Sequence, residues 1–321
     1  EYNPILPSLE KEGYFENKKM HHNIKGIGAT PESIGSVPVL YDILYELPWH
    51  ETKPDAKEWM KNYTISRYGV ESTLAQEAWE LLRNSALNCE TALQGPHEAV
   101  TCARPSLNVD RVSSWGGTEI FYDAKDVAEA AKKLLEADLE GENYYYDLVD
   151  VWRQAMTDKA YYLLKEINDA HQNSDSLTFI KKRDEFLKII NDLDRLLNTN
   201  KHFMLGTWTE MARAIADEAE GTTESDKDWL ELNNARTLIT TWGEEVNANQ
   251  GGLRDYSYRQ WGGMLKDFYL PRWEYFFNNN NSSPPEGWFE MERKWALNKN
   301  IRYSNIPQGD TKEIIRSIIE N

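Results

Sequence analysis

Glu32, which follows Thr30 and Pro31, is a candidate for catalytic chemistry. Thr30 suits an N-cap and Pro31 the first position of a helix, so Glu32 is predicted in a first helical turn, where the helix dipole favours an ionised carboxylate. The preceding residues 24–29 alternate apolar and small side chains, which predicts one short strand and a tight turn. Catalytic groups of barrel enzymes lie at such strand ends. Glu32 is therefore either a carboxylate that only stabilises the helix start or a catalytic one.

Other kinds of catalytic centre are not indicated. The six histidines show no His-x-x-x-His spacing and the cysteines no Cys-x-x-Cys spacing, so no metal site is predicted. Gly26 and Gly28 resemble the start of a dinucleotide-binding fingerprint, but Pro31 and Glu32 stand where its third glycine belongs. A nucleophilic serine elbow and a phosphate-cradling glycine loop are both absent from the sequence.

Two irregular stretches between predicted helices hold further polar and aromatic candidates. Residues 94–121 contain glycines and prolines with few periodic apolar positions, which predicts a long ordered loop, and such loops are often functional. His97 lies in this loop, either as a polar contact in a site or as a surface histidine. Trp242, Leu253 and Tyr256 border the second stretch, either as walls of a pocket or as core residues.

Four further residues could stabilise the fold, two arginines through ion pairs and two cysteines through a disulfide. Arg104 and Arg272 each flank a proline and suit buried pairing with part of the acidic excess. Cys89 and Cys102 are 13 positions apart. A disulfide between them would contribute about 3 kcal/mol and indicate an oxidising compartment, whereas two free thiols fit the sequence equally well.

The composition is that of an acidic globular protein. Its 321 residues carry 36 Lys plus Arg against 53 Asp plus Glu, a formal net charge of −17. This balance argues against nucleic-acid binding, which needs clustered cations, and against docking on an anionic membrane. No run approaches the roughly 20 apolar residues of a membrane span. The 12 tryptophans fit either aromatic walls against sugar faces or a tryptophan-rich helical core.

The periodicity beyond residue 35 predicts an all-α body, because apolar residues recur at three- and four-residue spacing. One predicted helix spans residues 229–239, and a long aromatic helix spans residues 256–277. The strand predicted at residues 24–29 needs a neighbouring strand for its backbone groups. Its partner lies either among the first 20 residues or in a sheet outside this sequence, and we favour the second.

Short stretches typical of one enzyme family occur in order along nearly the whole chain. They include residues 26–32 (GIGATPE), 39–49 (VLYDILYELPW), 66–70 (SRYGV), 146–153 (YDLVDVWR), 204–213 (MLGTWTEMAR) and 269–273 (YLPRW). In these stretches the chain resembles glycoside hydrolase family 89, the α-N-acetylglucosaminidases. The resemblance covers the later part of a family member.

The resemblance implies a fold and an activity. Residues 1–50 would be a remnant of a catalytic (β/α)8 barrel, its last strand and helix, and residues 51–321 an all-α carboxy-terminal domain. The parent protein would be a retaining exo-glycosidase that removes terminal α-linked N-acetylglucosamine without a metal or organic cofactor. The general acid/base glutamate has no counterpart in this sequence, so the chain alone is expected to be inactive.

Partners, location and site residues come from the same resemblance. The expected partners are a glycan ending in α-N-acetylglucosamine and the missing barrel portion, and the expected location is secreted, periplasmic or lysosomal, with any signal upstream. Glu32 matches the family's nucleophile and His97 a sugar-contacting histidine, while Trp242, Leu253 and Tyr256 match residues that wall the substrate pocket. The rival hypothesis is a non-catalytic helical module that binds carbohydrate or another partner.

Overall fold

The computed structural model of this protein describes residues 13–21, 23–29, 37–88, 98–112, 117–246 and 259–320. The regular secondary structure within these ranges is helical, with no strand, which confirms the predicted all-α class. The strand predicted at residues 24–29 is not observed: these residues form neither helix nor strand. A strand needs main-chain partners, and the described ranges offer it none. Residues 1–50 as a barrel remnant therefore stay a prediction.

The α-helices are numbered in chain order. They are α1 Gly13–Met20, α2 Pro38–Glu46, α3 Ala56–Tyr68, α4 Thr73–Asn84, α5 Ala124–Ala137, α6 Glu142–Gln172, α7 Ser176–Leu197, α8 Leu205–Ala216, α9 Glu224–Leu230, α10 Leu270–Asn278, α11 Trp288–Ala296 and α12 Thr311–Glu320. Single 3-10 turns lie at Leu47–Trp49, Val100–Cys102 and Lys201–Phe203, and π-helical turns at Glu231–Arg236 and Leu265–Tyr269. None of the helices within the described ranges is long and apolar enough to cross a membrane.

The helix ends are set by local sequence. Before α3, the Asp55 carboxylate accepts a hydrogen bond from the backbone N–H of Glu58 (2.8 Å), and Gly69 ends the helix at φ 69°, a conformation that favours glycine. Thr223 and Asp226 form a reciprocal capping box at the start of α9. Such short-range bonds satisfy backbone groups that the helix itself leaves open.

Two predicted helices have different limits in the structure. The aromatic helix predicted over residues 256–277 begins only after Gly263, because the φ of 89° at this glycine is incompatible with a helix. Trp261 therefore lies before the helix. The helix predicted over residues 229–239 changes from α to π geometry after Leu230. Periodicity located both helices but assumed a single α-helical repeat in each.

The chain divides into two compact units. Unit 1 comprises Glu1–His97 and Ile120–Ala155, and unit 2 comprises Glu98–Glu119 and Met156–Asn321. Helix α6 contributes its first part to unit 1 and the remainder to unit 2. The domain boundary at residue 50 stays a prediction.

Unit 1 is built on α3, α4, α5 and the first part of α6, with α4 packed extensively on α5. Its buried carboxylate Asp147 accepts hydrogen bonds from Arg67 Nε (2.5 Å) and Nη2 (2.8 Å) and from the Tyr68 hydroxyl (2.8 Å). The same hydroxyl accepts a bond from Trp79 Nε1 (2.8 Å). Burial raises the pKa of Asp147, and Arg67 opposes that effect by pairing with the ionised form.

Unit 2 has an aromatic core around Trp273. Its ring centroid lies 4.8 Å from that of Phe186 and 5.7 Å from that of Phe277, and all three rings are buried. Among the tryptophans of the described ranges, six are buried: Trp59, Trp79, Trp152, Trp273, Trp288 and Trp295. Three of them belong to unit 1 and three to unit 2, so buried tryptophans contribute to the interior of each unit.

Candidate functional site

Trp242 is the predicted site residue that the structure describes. Glu32, His97, Leu253 and Tyr256 lie outside the described residues, so their roles stay predictions. Trp242 belongs to unit 2 and is 45% exposed, whereas the residues directly before it, residues 239–241, are buried. A large aromatic side chain therefore reaches the surface at the end of a buried segment.

The segment that leads to Trp242 begins in the π-helical turn Glu231–Arg236. The backbone N–H of Thr237 donates to the carbonyl of Leu232 (3.1 Å), five residues earlier, and the Thr237 hydroxyl donates to the same carbonyl (2.7 Å). The Thr240 hydroxyl donates to the carbonyl of the last π-helical residue (2.7 Å). Hydrogen bonds thus connect the π-helical turn to a residue two positions before Trp242.

Arg236 anchors this turn from inside the protein. Its guanidinium is fully buried, and Nε and Nη2 donate to Glu231 Oε1 (3.1 and 2.5 Å). Nη1 donates to the carbonyl of Asn298 (2.8 Å), and Nη2 also donates to the carbonyl of Ile301. Two aromatic rings face the guanidinium at 5.6 and 5.3 Å, those of Trp295 and Tyr303.

Glu231 is the centre of a larger group of charges. Its buried Oε2 accepts hydrogen bonds from Arg213 Nη1 (3.1 Å) and Arg302 Nη1 (2.9 Å). Asp228 accepts from the same two arginines, and the hydrogen bond from Arg213 holds the pKa of Asp228 below its ordinary value. We call Glu231, Arg236, Arg213, Arg302 and Asp228 the Glu231 cluster.

The chain that follows Tyr256 is held in place by hydrogen bonds that involve backbone N–H groups. The N–H of Gly262 donates to the carbonyl of Phe203 (2.8 Å), and the N–H of Leu205 donates to the carbonyl of Gly262 (3.0 Å). The buried carboxylate of Asp194 accepts from the N–H of Gly263 (2.6 Å). Hydrogen bonds thus hold described residues of unit 2 both before Leu253, at Thr240, and after Tyr256, at Gly262 and Gly263.

The residues that come after His97 are anchored by another buried carboxylate, that of Glu292. Arg104 donates to Glu292 from Nε (3.0 Å) and Nη2 (2.7 Å), and Arg272 donates from Nη1 (2.5 Å). Arg272 Nη2 also donates to the carbonyl of Cys102 (2.9 Å). Burial by itself raises the pKa of Glu292, but the two guanidiniums outweigh it and hold the pKa below its ordinary value. Arg104, Arg272 and Glu292 are the Glu292 cluster, which confirms the predicted pairing of both arginines.

A hydrogen bond joins the described flanks of His97 and Tyr256. Gln260, four positions after Tyr256, donates from Nε2 to the hydroxyl of Thr101 (3.1 Å), four positions after His97. The same nitrogen donates to the hydroxyl of Thr157 (2.8 Å). The side chains of Gln260, Thr101 and Thr157 are all buried. The fold of unit 2 therefore brings together Thr101 and Gln260, two described residues that follow these candidates in sequence.

A surface groove of about 340 Å³ lies between α8 and the π-helical turn. Its walls are largely apolar, with Glu218 and Asn234 as polar lining residues. Trp208 contributes the groove's aromatic ring and donates from Nε1 to the carbonyl of Ala235 (3.1 Å). Trp242 is not among the residues that line it, so the groove is separate from the predicted sugar-facing residue.

No group of three or more His, Cys, Asp or Glu side chains within the described residues is arranged to hold a metal ion. Cys102 is buried, and Cys89 lies outside the described ranges. The disulfide and the two free thiols therefore both stay as alternatives for these cysteines.

Comparison with known proteins places the chain in a family. Residues 59–321 match the family model described as the α-N-acetylglucosaminidase (NAGLU) C-terminal domain. The chain belongs to this family. A human α-N-acetylglucosaminidase is 30% identical over 310 residues, which are 91% of this chain and 39% of that protein.

Solved structures of a family 89 glycoside hydrolase from Clostridium perfringens share the fold. The complex with 2-acetamido-1,2-dideoxynojirmycin superposes with a TM-score of 0.88 at 29% identity, covering 98% of this chain and 37% of that one. A double variant in complex with GlcNAc-alpha-1,4-galactose gives a TM-score of 0.89 at 28% identity, with the same coverage. The chain thus spans about two fifths of the length of these relatives.

Sequence reasoning missed most of the residues that hold this helical family domain around the candidate site. Glu231, Glu292 and Gln260 were not singled out, although Arg104 and Arg272 were expected to find acidic partners. The sequence signal for Glu231 was weak, because a Glu and an Arg five positions apart do not face each other in an α-helix. Which of 53 acidic residues pairs with a given arginine depends on the folded chain.

Proposed function

We propose that this chain is the helical, sugar-facing part of a retaining exo-glycosidase that removes terminal α-linked N-acetylglucosamine. Membership of the family supports the hydrolase class. The observation that carries the role of this part is Trp242, which is 45% exposed at the end of a buried, hydrogen-bonded segment. An aromatic ring held in this way offers a flat apolar face to a sugar ring.

Glu32 is the nucleophile in the proposed reaction. In a retaining enzyme one carboxylate attacks the anomeric carbon, and a second carboxyl group about 5 Å away protonates the leaving oxygen before water releases the sugar. A place at a helix start favours the ionised form that attack requires. The acid/base group would come from the barrel portion, while His97, Trp242, Leu253 and Tyr256 would line the pocket.

The net charge of −17 is compatible with an anionic glycan, because an exo-enzyme buries one neutral terminal sugar and need not bind the rest of the chain. The mechanism uses no metal or organic cofactor, so a chelator should leave the activity unchanged. We also propose an extracytoplasmic location, where a disulfide between Cys89 and Cys102 would persist.

An aryl α-N-acetylglucosaminide assay tests this function on two preparations: the 321-residue chain and a parent enzyme that extends it upstream. We expect no turnover by the chain alone, and turnover by the parent enzyme that Glu32→Gln lowers by at least about 10³-fold. Glu51→Gln, at an exposed carboxylate, is the matched control and should change nothing. Turnover by the chain alone would refute its proposed inactivity, and an active Glu32→Gln enzyme would refute the nucleophile.

A non-catalytic carbohydrate-binding module is the second candidate. Trp242 is exposed in unit 2, and none of the described carboxylates of that unit is proposed to be catalytic. Titration calorimetry of the 321-residue chain with methyl α-N-acetylglucosaminide separates the two functions. Binding that survives Glu32→Ala and disappears with Trp242→Ala, together with an inactive parent enzyme, would favour the module. Glycosidase turnover by the parent enzyme would exclude it as the complete function.

A further inference from the structure

The ion pair between Glu231 and Arg236 has an unusual sequence separation. The two residues are five positions apart, yet Arg236 Nη2 lies 2.5 Å from Glu231 Oε1. In an α-helix of 3.6 residues per turn, side chains five positions apart point about 140° away from each other. The i→i+5 bonding of a π-helix instead places them on adjacent turns. The ion pair is therefore compatible with the observed π-helical turn and not with an α-helical one.

The same ion pair is secured by its surroundings. Arg236 is fully buried and also donates to the carbonyls of Asn298 and Ile301, so its guanidinium cannot move without leaving buried groups unpaired. Breaking a buried ion pair leaves an uncompensated charge in the protein interior, which is strongly unfavourable. Conversion of the turn to α geometry is therefore opposed by the charges on Glu231 and Arg236.

The geometry of this turn controls the direction of the segment after it. A π-helical turn contains one more residue than the corresponding α-helical turn, so its conversion would rotate the next segment by about 100°. That segment is bound to the turn by the Thr240 hydroxyl, which donates to the Arg236 carbonyl (2.7 Å). Thr241 is completely buried, so the chain emerges at Trp242 in a defined direction.

We propose that Arg236 is a positioning residue for Trp242: through its ion pair with Glu231 it holds the π-helical turn and so sets the direction in which the Trp242 ring meets the terminal sugar. The inference rests on the proposed function, in which Trp242 faces sugar. Arg236 itself touches no substrate and acts through the turn and Thr240.

Two measurements test the proposal. The ¹⁹F NMR spectrum of the 321-residue chain labelled with 5-fluorotryptophan reports the surroundings of Trp242, whose resonance is assigned with Trp242→Phe. The kcat/KM of the parent enzyme on an aryl α-N-acetylglucosaminide reports the use of that ring. We expect Arg236→Lys, which keeps the charge but loses the planar set of donors, to move the Trp242 resonance and lower kcat/KM about tenfold.

Thr240→Val is a second, milder variant in case Arg236→Lys fails to fold. It removes the hydrogen bond to the Arg236 carbonyl with little change of volume, and we expect a smaller displacement of the same resonance and a severalfold loss of kcat/KM. In both variants the resonance of buried Trp273 should stay in place, which separates a local change from general loosening of the core.

Arg67→Lys is the matched control, because Arg67 also pairs with a buried carboxylate, Asp147, but its hydrogen bonds lie within unit 1. It should lower stability without moving the Trp242 resonance or kcat/KM. Arg236→Lys and Thr240→Val variants that destabilise the protein but leave both readouts unchanged would overturn the proposal. If the resonance moves but Trp242→Ala leaves kcat/KM unchanged, the positioning of the ring stands and the sugar-facing role of Trp242 in the proposed function fails.

Discussion

Glu231 and Glu292 are both buried carboxylates of unit 2, and each is bonded to more than one arginine. The arginines of Glu292 lie 188 and 20 positions away in sequence, so this cluster joins segments that are remote along the chain. Arg236 lies only five positions from Glu231, so this pair acts within one helix and determines its local geometry. Both carboxylates thus close tertiary structure through distant arginines, and Glu231 in addition shapes a helix through the arginine five positions away.

The largest effect is expected when the Glu292 cluster loses its carboxylate. Glu292→Ala leaves Arg272 buried without its counter-charge, which should lower the free energy of unfolding by about 3–5 kcal/mol. Urea unfolding measures the loss. Glu290→Ala, at an exposed position of the same helix, is the matched control and should change the free energy by less than about 0.5 kcal/mol. Equal losses in the two variants would contradict a structural role for the cluster.

The Glu231 cluster should respond unequally to the loss of its two partners. Glu231→Ala leaves Arg236 as a buried cation without its carboxylate, facing two carbonyls and two aromatic rings, at a cost of about 3 kcal/mol or more. Arg236→Met leaves Glu231 paired with two other arginines and costs about 2 kcal/mol, mainly through two carbonyls that lose their donor. Urea unfolding of both variants gives the order, and a larger loss for Arg236→Met would refute this account.

Acid should weaken the Glu292 cluster progressively. The pKa of Glu292 in the folded protein is held below its ordinary value of 4.5, so its contribution to stability is complete above about pH 4.5 and is lost as the pH falls through the folded-state pKa. Urea unfolding at several pH values below about 5 measures this loss. Glu292→Gln should remove that part of the pH dependence, and an unchanged dependence in this variant would show that other carboxylates cause it.

The smallest effect is expected at the edge of the Glu231 cluster. The side chain of Arg302 is 40% exposed, so water can solvate Glu231 and Asp228 in part when it is removed. Arg302→Ala should lower the free energy of unfolding by less than about 1 kcal/mol, as for exposed ion pairs. A loss of more than about 2 kcal/mol would show that Arg302 is as important to the cluster as Arg236.

The part of the fold that could be predicted depends on repeated apolar residues. The all-α class came from three- and four-residue spacing, and the buried pairing of Arg104 and Arg272 came from their chemistry. The strand at residues 24–29 was not observed, because a local pattern of alternation does not supply the neighbouring strand that such a segment needs. For the candidate site, the sequence pointed to Trp242 but not to the side chains that hold it.

The π-helical turn Glu231–Arg236 is a feature that the sequence did not predict. Residues 229–239 carry the apolar spacing of an α-helix, and nothing in that spacing indicates an extra residue in one turn. The turn is stabilised by Glu231 and Arg236 together with carbonyls from residues 298 and 301, which are more than 60 positions away. Those partners come within reach only after the chain has folded.

The sequence by itself determined the helical periodicity, the strongly negative charge and the landmarks of the family. These are local or additive properties, which neighbouring residues or simple counts decide. Only the tertiary structure decided that Glu231 and Glu292 are the buried acids, that one helix widens into a π-turn, and that Trp242 stays exposed. The physical reason is that burying a charge is favourable only when its partners arrive from the rest of the fold.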